Sequence, residues 1–316
     1  MSEKIPILIL VGPTAVGKTS TSIKVAKKLN GEIISSDSMQ IYKYMNIGTA
    51  KVTKEEMQGI KHYMIDEIYP DEKFSVSDFQ ERANSYIKDI YNRKKLPIVV
   101  GGTGLYINSL VYDLDFTKAI SNKEFRKKCE NDIKKYGNEY LYEKLKIIDP
   151  DSLDRIHLND TKRIIRALEI YYETGKPMSI YYKKFRKPNH LYKIAMIALN
   201  IDRKELYNRI DLRVDLMLEK GLIDEVKSLL KKGYNETLTS MQGLGYKEVI
   251  KYLNNQYDYK EAVRVLKRDS RRFAKRQLTW FRRDKQIKWI NADEFETQQD
   301  IVDEIFNYAK KKLELV

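Results

Sequence analysis

Ile5-Pro-Ile-Leu-Ile-Leu-Val-Gly-Pro-Thr-Ala-Val-Gly-Lys-Thr19 joins an apolar run to a glycine-bounded turn and then to a lysine-rich amphipathic stretch. The apolar part shows no polar alternation, so it reads as a strand buried on both faces of a parallel sheet. The turn, Gly12-Pro13-Thr14-Ala15-Val16-Gly17-Lys18-Thr19, has the spacing G-x-x-x-x-G-K-[ST] and sits between a strand and a helix, where its mechanism needs it. Glycines let such a backbone wrap phosphate oxygens with its N–H groups pointing inward, and the positive end of the following helix adds to the attraction. Lys18 would bring a charge to the outer phosphate, and the Thr19 hydroxyl would ligate a phosphate-bound Mg2+. The stretch predicts that residues Gly12 to Thr19 bind a di- or triphosphate, without saying which one.

Outward from this turn, short β-branched runs alternate with amphipathic stretches. Strands are expected at Ile5–Val11, Glu32–Ser36, His62–Asp66 and Pro97–Val100, with helices at Lys18–Leu29 and Ser75–Lys95. From about residue 119 the strand signal gives way to charged segments of helical spacing. It returns at Ile194–Asn200 and Gln286–Ile290. The expectation is an α/β fold, a P-loop NTPase-like parallel sheet with flanking helices, interrupted by a smaller all-helical insertion. The core would comprise residues 1–118 and 193–316, and the insertion 119–192. The stretch Tyr181–Asn189, with Lys183, Lys184, Arg186, Lys187 and Pro188, reads as a basic loop or boundary.

The chain has 316 residues, long enough for one large domain or two modest ones. Cys129 is its one cysteine, so no internal disulfide can form, and His62, His157 and His190 have no cysteine partners for a structural zinc site. The longest apolar run falls far short of the ~20 residues that span a bilayer, and no cleavage-site pattern follows it. A cytoplasmic protein with no membrane association is expected. Fifty-nine Lys and Arg against 45 Asp and Glu leave a formal charge of +14, which favours a polyanionic partner or else a plainly solvated surface.

Other features bear on chemistry. Ser35-Ser36-Asp37-Ser38 puts Asp37 at the carboxyl end of the second strand, on the rim where ligands lie in open α/β sheets. There a carboxylate can accept a proton or hold magnesium through water; as a helix N-cap it would do neither. Gly101-Gly102-Thr103-Gly104 forms a second glycine turn after the fourth strand, expected to open on the same crevice. Between Arg264 and Lys285, 10 basic residues oppose 2 acidic ones. A stripe of Val263, Leu266, Ser270, Phe273, Ala274, Gln277 and Phe281 would bury one side of this helix. Its flanks offer a ladder of phosphate contacts, and the adjoining Thr279-Trp280-Phe281 an aromatic surface for unpaired bases. Lys162, Arg163 and Arg166 fall within one helical turn, and Arg209 and Arg213 share a face. Ion pairs with surface carboxylates would explain both groups, as would guanidinium forks on a diphosphate.

These residues together resemble the bacterial tRNA dimethylallyltransferases, the tRNA isopentenyltransferases of the IPP transferase family. The likeness covers nearly the whole chain. It is carried by Gly12–Thr19, Asp37-Ser-Met-Gln40-Ile-Tyr, Gly48-Thr-Ala-Lys51, Gly101-Gly-Thr-Gly-Leu-Tyr106, Lys162-Arg-Ile-Ile-Arg166-Ala-Leu-Glu, Arg209-x-x-x-Arg213, Gln242-Gly-Leu-Gly-Tyr246 and Lys275-Arg-Gln-x-Thr-Trp-Phe-x-Arg283. The resemblance implies transfer of a dimethylallyl group from dimethylallyl diphosphate to the exocyclic amine of the adenosine 3′-adjacent to the anticodon. The acceptor would be the anticodon stem-loop of tRNA, its base swung into a channel, and the working unit a monomer with Mg2+. It implies Asp37 as proton acceptor, with Lys18, Thr103 and Arg213 also at the reacting centre. It implies tRNA contacts at Asp37, Ser38, Met39, Gln40, Thr103, Arg126, Lys162, Arg163, Ile164, Ile165, Arg166, Gln242, Lys275 and Arg276.

Three other readings remain open on the residues alone. A small-molecule kinase could use the same loop and acid with ATP. Prenyl transfer to a free adenine nucleotide would need no basic ladder. An RNA-binding protein with a degenerate loop is harder to reconcile with intact Lys18, Thr19 and Asp37.

Overall fold

The computed structural model describes residues 4–114, 122–183 and 187–315, of which 181–183 by backbone alone. The residues fall into two compact units, 1–108 with 190–316, and 109–189. The expected boundary at 118/119 lies outside the described residues, as do Lys184 and Arg186 of the basic stretch.

The first unit holds a six-stranded sheet of β1 (Ile5–Val11), β2 (Gly31–Ser35), β3 (His62–Tyr63), β4 (Leu96–Gly101), β5 (Tyr192–Asn200) and β6 (Lys288–Asn291). All pairings are parallel and the order is β3-β2-β4-β1-β5-β6. Ile7 to Val11 are wholly buried, as expected of a central strand covered on both faces. Leu8 and Leu10 join Ile23 and Ala26 of the helix Lys18–Lys28 and Val302 and Ile305 of the helix Gln298–Leu313 in one core. Each such aliphatic side chain contributes roughly 1.5–3 kcal/mol by its burial. The helix Val76–Asn92 packs against β1, β2 and β4 and buries Phe79, Ala83, Ile87 and Ile90.

The third strand is shorter than its apolar run predicts. Met64 and Asp66 take positive φ values of 64° and 54°, which ends the extended backbone after Tyr63. β1 has the expected bounds, and those of β2, β4, β5 and β6 differ from expectation by no more than two residues.

Because β2, β4 and β1 are adjacent and parallel, the segments leaving their carboxyl ends share one rim of the sheet. Those segments carry Asp37, Gly101–Gly104 and Gly12–Thr19. β1 also neighbours β5, which leads into the helix Arg203–Glu219 bearing Arg213. The rim where neighbouring strands part in opposite directions is where open α/β sheets take their ligands.

The second unit is helical among the described residues, with helices Lys123–Tyr136, Asn138–Ile148, Thr161–Thr174 and Met178–Lys183. Leu141, Leu145, Ile156, Ile164 and Leu168 form its core, together with the buried free thiol of Cys129. No described helix is long and apolar enough to cross a membrane.

Candidate functional site

The turn after β1 folds as its glycines dictate. Gly12 has φ 149°, and a Cβ there would lie 2.7 Å from the Leu199 carbonyl oxygen, so β1 and β5 approach too closely for any side chain. Gly17 has φ 94° and precedes the helix at Lys18. The Lys18 ammonium curls under the loop and donates to the carbonyls of Gly12 at 2.9 Å and Pro13 at 2.7 Å.

Burial pulls the Lys18 pKa down to about 7, helped by the positive charge of Arg213 and opposed by Asp37. Desolvation likewise lowers the pKa of Arg213, with Asp37 again opposing. Arg213 has no hydrogen-bond partner among the described residues. Two cations are thus held side by side with a single nearby carboxylate, an arrangement that an incoming diphosphate would relieve.

Asp37 closes a short turn. Its Oδ1 accepts from the N–H groups of Met39 at 2.8 Å and Gln40 at 3.3 Å, and no regular helix follows. Oδ2 has no protein partner among the described residues and remains available to a substrate. Thr103 Oγ1 accepts from the Ser38 N–H at 3.2 Å, and the Thr103 N–H donates to the Ser36 carbonyl at 3.3 Å. The second glycine turn and the segment that carries the acid are therefore anchored to one another.

Two cavities meet at this point. One, of about 510 Å³, is lined by the loop residues Gly17, Lys18 and Thr19 together with Gly101, Gly102 and Gln40. The other, of about 310 Å³, is lined by Ser38, Met39, Thr103, Gln242 and Arg276. Thr14, Asp37, Arg213 and Phe273 line both. Ser270 and Phe273 belong to the helix Tyr259–Phe281, so the apolar side of the basic helix forms part of the second cavity wall.

Of the expected ladder, Arg264, Lys267, Arg268, Arg271 and Arg272 are taken up by Glu261, Asp215, Asp269 and Asp211. Lys275, Arg276, Arg282, Arg283 and Lys285 have no carboxylate partner among the described residues. The unpaired positive charge is confined to the carboxyl-terminal half of the stretch. Arg209, which lines the first cavity beside Arg213, is paired with Glu205 at 2.8 Å.

The other expected tRNA contacts lie in the second unit. Glu169, with no exposed side-chain surface, accepts from Arg126 at 2.7 and 2.9 Å and from Arg166 at 2.7 Å. Burial works against the charge of Glu169, yet these donors hold its carboxyl below the usual range. Lys162 and Arg163 are exposed, whereas Ile164 and Ile165 point into the unit's core, so the helix offers solvent its cations and not its isoleucines.

Some residues gain a physical role only from the structure. Glu225 accepts from the N–H groups of Asn46 and Ile47, both at 2.8 Å, from that of Gly48 at 3.1 Å, and from the Tyr246 hydroxyl at 2.7 Å. Lys51, its side chain almost fully buried, ties the same loop by donating to the Tyr42 carbonyl at 2.7 Å and Asn46 Oδ1 at 3.0 Å. Gln277 bonds to both glycine turns. A Cβ on Gly104 would fall 2.2 Å from Cδ1 of Trp280, so this glycine is a seat for the indole. Lys51, Gly104, Tyr246, Gln277 and Trp280 stand in the sequence within motifs that carry the resemblance, but their contacts do not, and Glu225 gives no signal at all.

The family model for IPP transferases matches residues 40–284. A tRNA dimethylallyltransferase from Acetivibrio thermocellus is 54% identical over 302 residues, covering 96% of each chain. The chain belongs to the IPP transferase family. The full-length tRNA isopentenylpyrophosphate transferase of Bacillus halodurans superposes with a TM-score of 0.74 at 44% identity, over 98% of this chain and 97% of that one. A eukaryotic dimethylallyltransferase acting on tRNA gives 0.79 at 31% identity, over 95% of this chain and 78% of that one. The P-loop-like sheet of this IPP transferase thus agrees with solved structures along nearly its whole length.

Proposed function

We propose that this IPP transferase moves a dimethylallyl group from dimethylallyl diphosphate to the exocyclic amine of the adenosine 3′-adjacent to the anticodon, in the anticodon stem-loop of tRNA, and releases diphosphate. The observation that carries this reading is that Asp37 and Arg213 line both cavities. The wall with the phosphate loop suits the donor, and the wall with Thr103, Gln242 and Arg276 suits the acceptor.

In this reading the diphosphate lies against the loop N–H groups, Lys18 and Arg213, with its allylic carbon directed toward Asp37. As the C–O bond breaks, the charge growing on the diphosphate is met by cations already fixed in place. The adenine nitrogen forms the new C–N bond and gives up its proton to Oδ2 of Asp37, while Oδ1 stays committed to the Met39 and Gln40 N–H groups. An exocyclic amine is a weak nucleophile, so much of the rate must come from holding it in line.

No cluster of His, Cys, Asp or Glu among the described residues could cage a metal ion. Thr19 and Asp37 both line the first cavity, a sparse oxygen set suited to Mg2+ that brings water and phosphate oxygens as its other ligands. When bound there, Mg2+ would supply further neutralisation of the diphosphate. A monomer remains the proposed working unit, and the free thiol of Cys129 fits a reducing, cytoplasmic setting.

The test is incubation with tRNA, Mg2+ and dimethylallyl diphosphate, followed by mass spectrometry of tRNA digests. The expected product is one adenosine per acceptor tRNA heavier by a dimethylallyl group, next to the anticodon. Unmodified digests, or modification that depends on ATP in place of the prenyl donor, would overturn the reading.

A further inference from the structure

Gln277 lies in the buried stripe of the helix Tyr259–Phe281, between Ala274 and Phe281, and is 7% exposed. Its Oε1 accepts from the Thr14 N–H at 2.9 Å, and its Nε2 donates to the Gly102 carbonyl at 3.1 Å. A Cβ on Gly102 would come within 2.0 Å of Nε2, so the bare glycine makes room for the amide. Thr14 belongs to the phosphate loop and Gly102 to the turn after β4. One residue on, Thr103 Oγ1 accepts from the Ser38 N–H beside Asp37.

A buried carboxamide is unfavourable unless both of its ends find partners, and a leucine would fill the stripe equally well if packing were the only requirement. Here the two ends are satisfied by two separate walls of the first cavity.

We propose that Gln277 is a positioning residue that holds the phosphate loop and the Gly102–Thr103 turn at one spacing, and so fixes the leaving diphosphate relative to Asp37. This rests on the donor and acceptor reading above. Gln277 lines the first cavity, but both ends of its amide are committed to the protein, so it acts through Thr14 and, by way of Gly102 and Thr103, through Ser38.

The test uses the full chain with tRNA, Mg2+ and dimethylallyl diphosphate. Gln277→Leu loosens the spacing, and because misplacement by ~1 Å costs about 10²-fold, kcat should fall on that scale while tRNA affinity is unchanged. Gln277→Glu adds a readout that packing alone would not move. Protonated, the carboxyl can accept from Thr14 and donate to Gly102 as the amide does; ionised, it sets an acceptor against the Gly102 carbonyl. Burial raises the pKa of such a carboxyl, so the ratio of variant to unmodified kcat should climb as pH falls. The other ionisable groups lining the cavity, Lys18, Lys24, Asp37, Glu56, His62, Arg209 and Arg213, are common to both proteins and largely cancel in that ratio.

Gly102→Ala displaces the amide from the opposite side without touching the helix, and combining it with Gln277→Leu should cost little more than either change alone. Full kcat in Gln277→Leu, a pH-independent ratio in Gln277→Glu, or additive losses in the double variant would each overturn the inference. Absence of prenylation by the unmodified protein would instead strike at the proposed function itself.

Discussion

The Tyr246 hydroxyl donates to Oε1 of Glu225 at 2.7 Å, while the same carboxylate gathers the backbone N–H groups of Asn46, Ile47 and Gly48. A residue of the helix Leu222–Lys231 thereby pins Gly48, which lines the second cavity, to the wholly buried Tyr246 ring. Tyr246→Phe removes one of four donors and should lower stability by about 1 kcal/mol. Glu225→Ala strands all four and should cost about 2–3 kcal/mol. Urea unfolding of the two variants checks the order; equal losses would show that the backbone donors are satisfied without Glu225.

Asp37→Asn keeps an oxygen for the Met39 and Gln40 N–H groups but removes the proton acceptor. Turnover should drop by about 10²–10⁴-fold, the usual worth of general base catalysis, with tRNA affinity little altered. Near-normal prenylation by this variant in a single-turnover assay would take Asp37 out of that role.

Lys18 links anion binding to pH. With its pKa lowered to about 7 by burial and by Arg213, the lysine is largely neutral above that pH, and a bound anion must raise its pKa again. Binding of inorganic pyrophosphate should therefore take up protons and weaken as pH rises above about 7. Calorimetry in buffers of different ionisation enthalpy measures that uptake directly. No uptake at pH 8 would mean that Lys18 is already charged.

The division within the basic helix predicts two classes of substitution. Lys275→Glu with Arg276→Glu alters cations that have no carboxylate partner, and should weaken tRNA binding while removing about 0.7–0.9 from the salt slope for each lost phosphate contact. Lys267→Ala breaks a pair with Asp215 and should leave that slope unchanged. Filter binding across a salt series separates them. Identical slopes in all variants would return the helix to an ordinary solvated face.

In the second unit, Glu169→Gln removes the charge that Arg126 and Arg166 share. Because hydrogen bonds hold the Glu169 carboxyl below its ordinary value against burial, its contribution is present above the unfolded pKa near 4.5 and lost as pH falls through the lower folded value. Both arginines are partly exposed, which limits the loss at neutral pH to about 1–3 kcal/mol. Acid unfolding of the full chain should show the variant and the parent converging at low pH.

The sheet was readable because its signals are local. β1 is a continuous apolar run and the phosphate loop is a fixed spacing beside it, whereas the order β2-β4-β1 depends on pairings that the runs themselves do not specify. What eluded the sequence depends on partners far apart in the chain. Glu261 and Asp269 lie close enough in sequence to pair with Arg264, Arg268 and Arg272, but nothing near Lys267 or Arg271 announces their neutralisation, since Asp211 and Asp215 lie on another helix. Gln277 had the periodicity of a packing residue, and only the meeting of Thr14 with Gly102 shows its polar use. Ile164 and Ile165 were included with their basic neighbours, although helical geometry turns them inward.

The nearness of Lys18 and Arg213 has a consequence for steady-state throughput. Whatever draws the reactant to these cations also draws the by-product, and free pyrophosphate carries one more ionisable oxygen than its allylic ester. On the proposed reading, the spent anion is retained at least as firmly as the fresh one, so accumulating pyrophosphate should compete with the donor and slow repeated cycles.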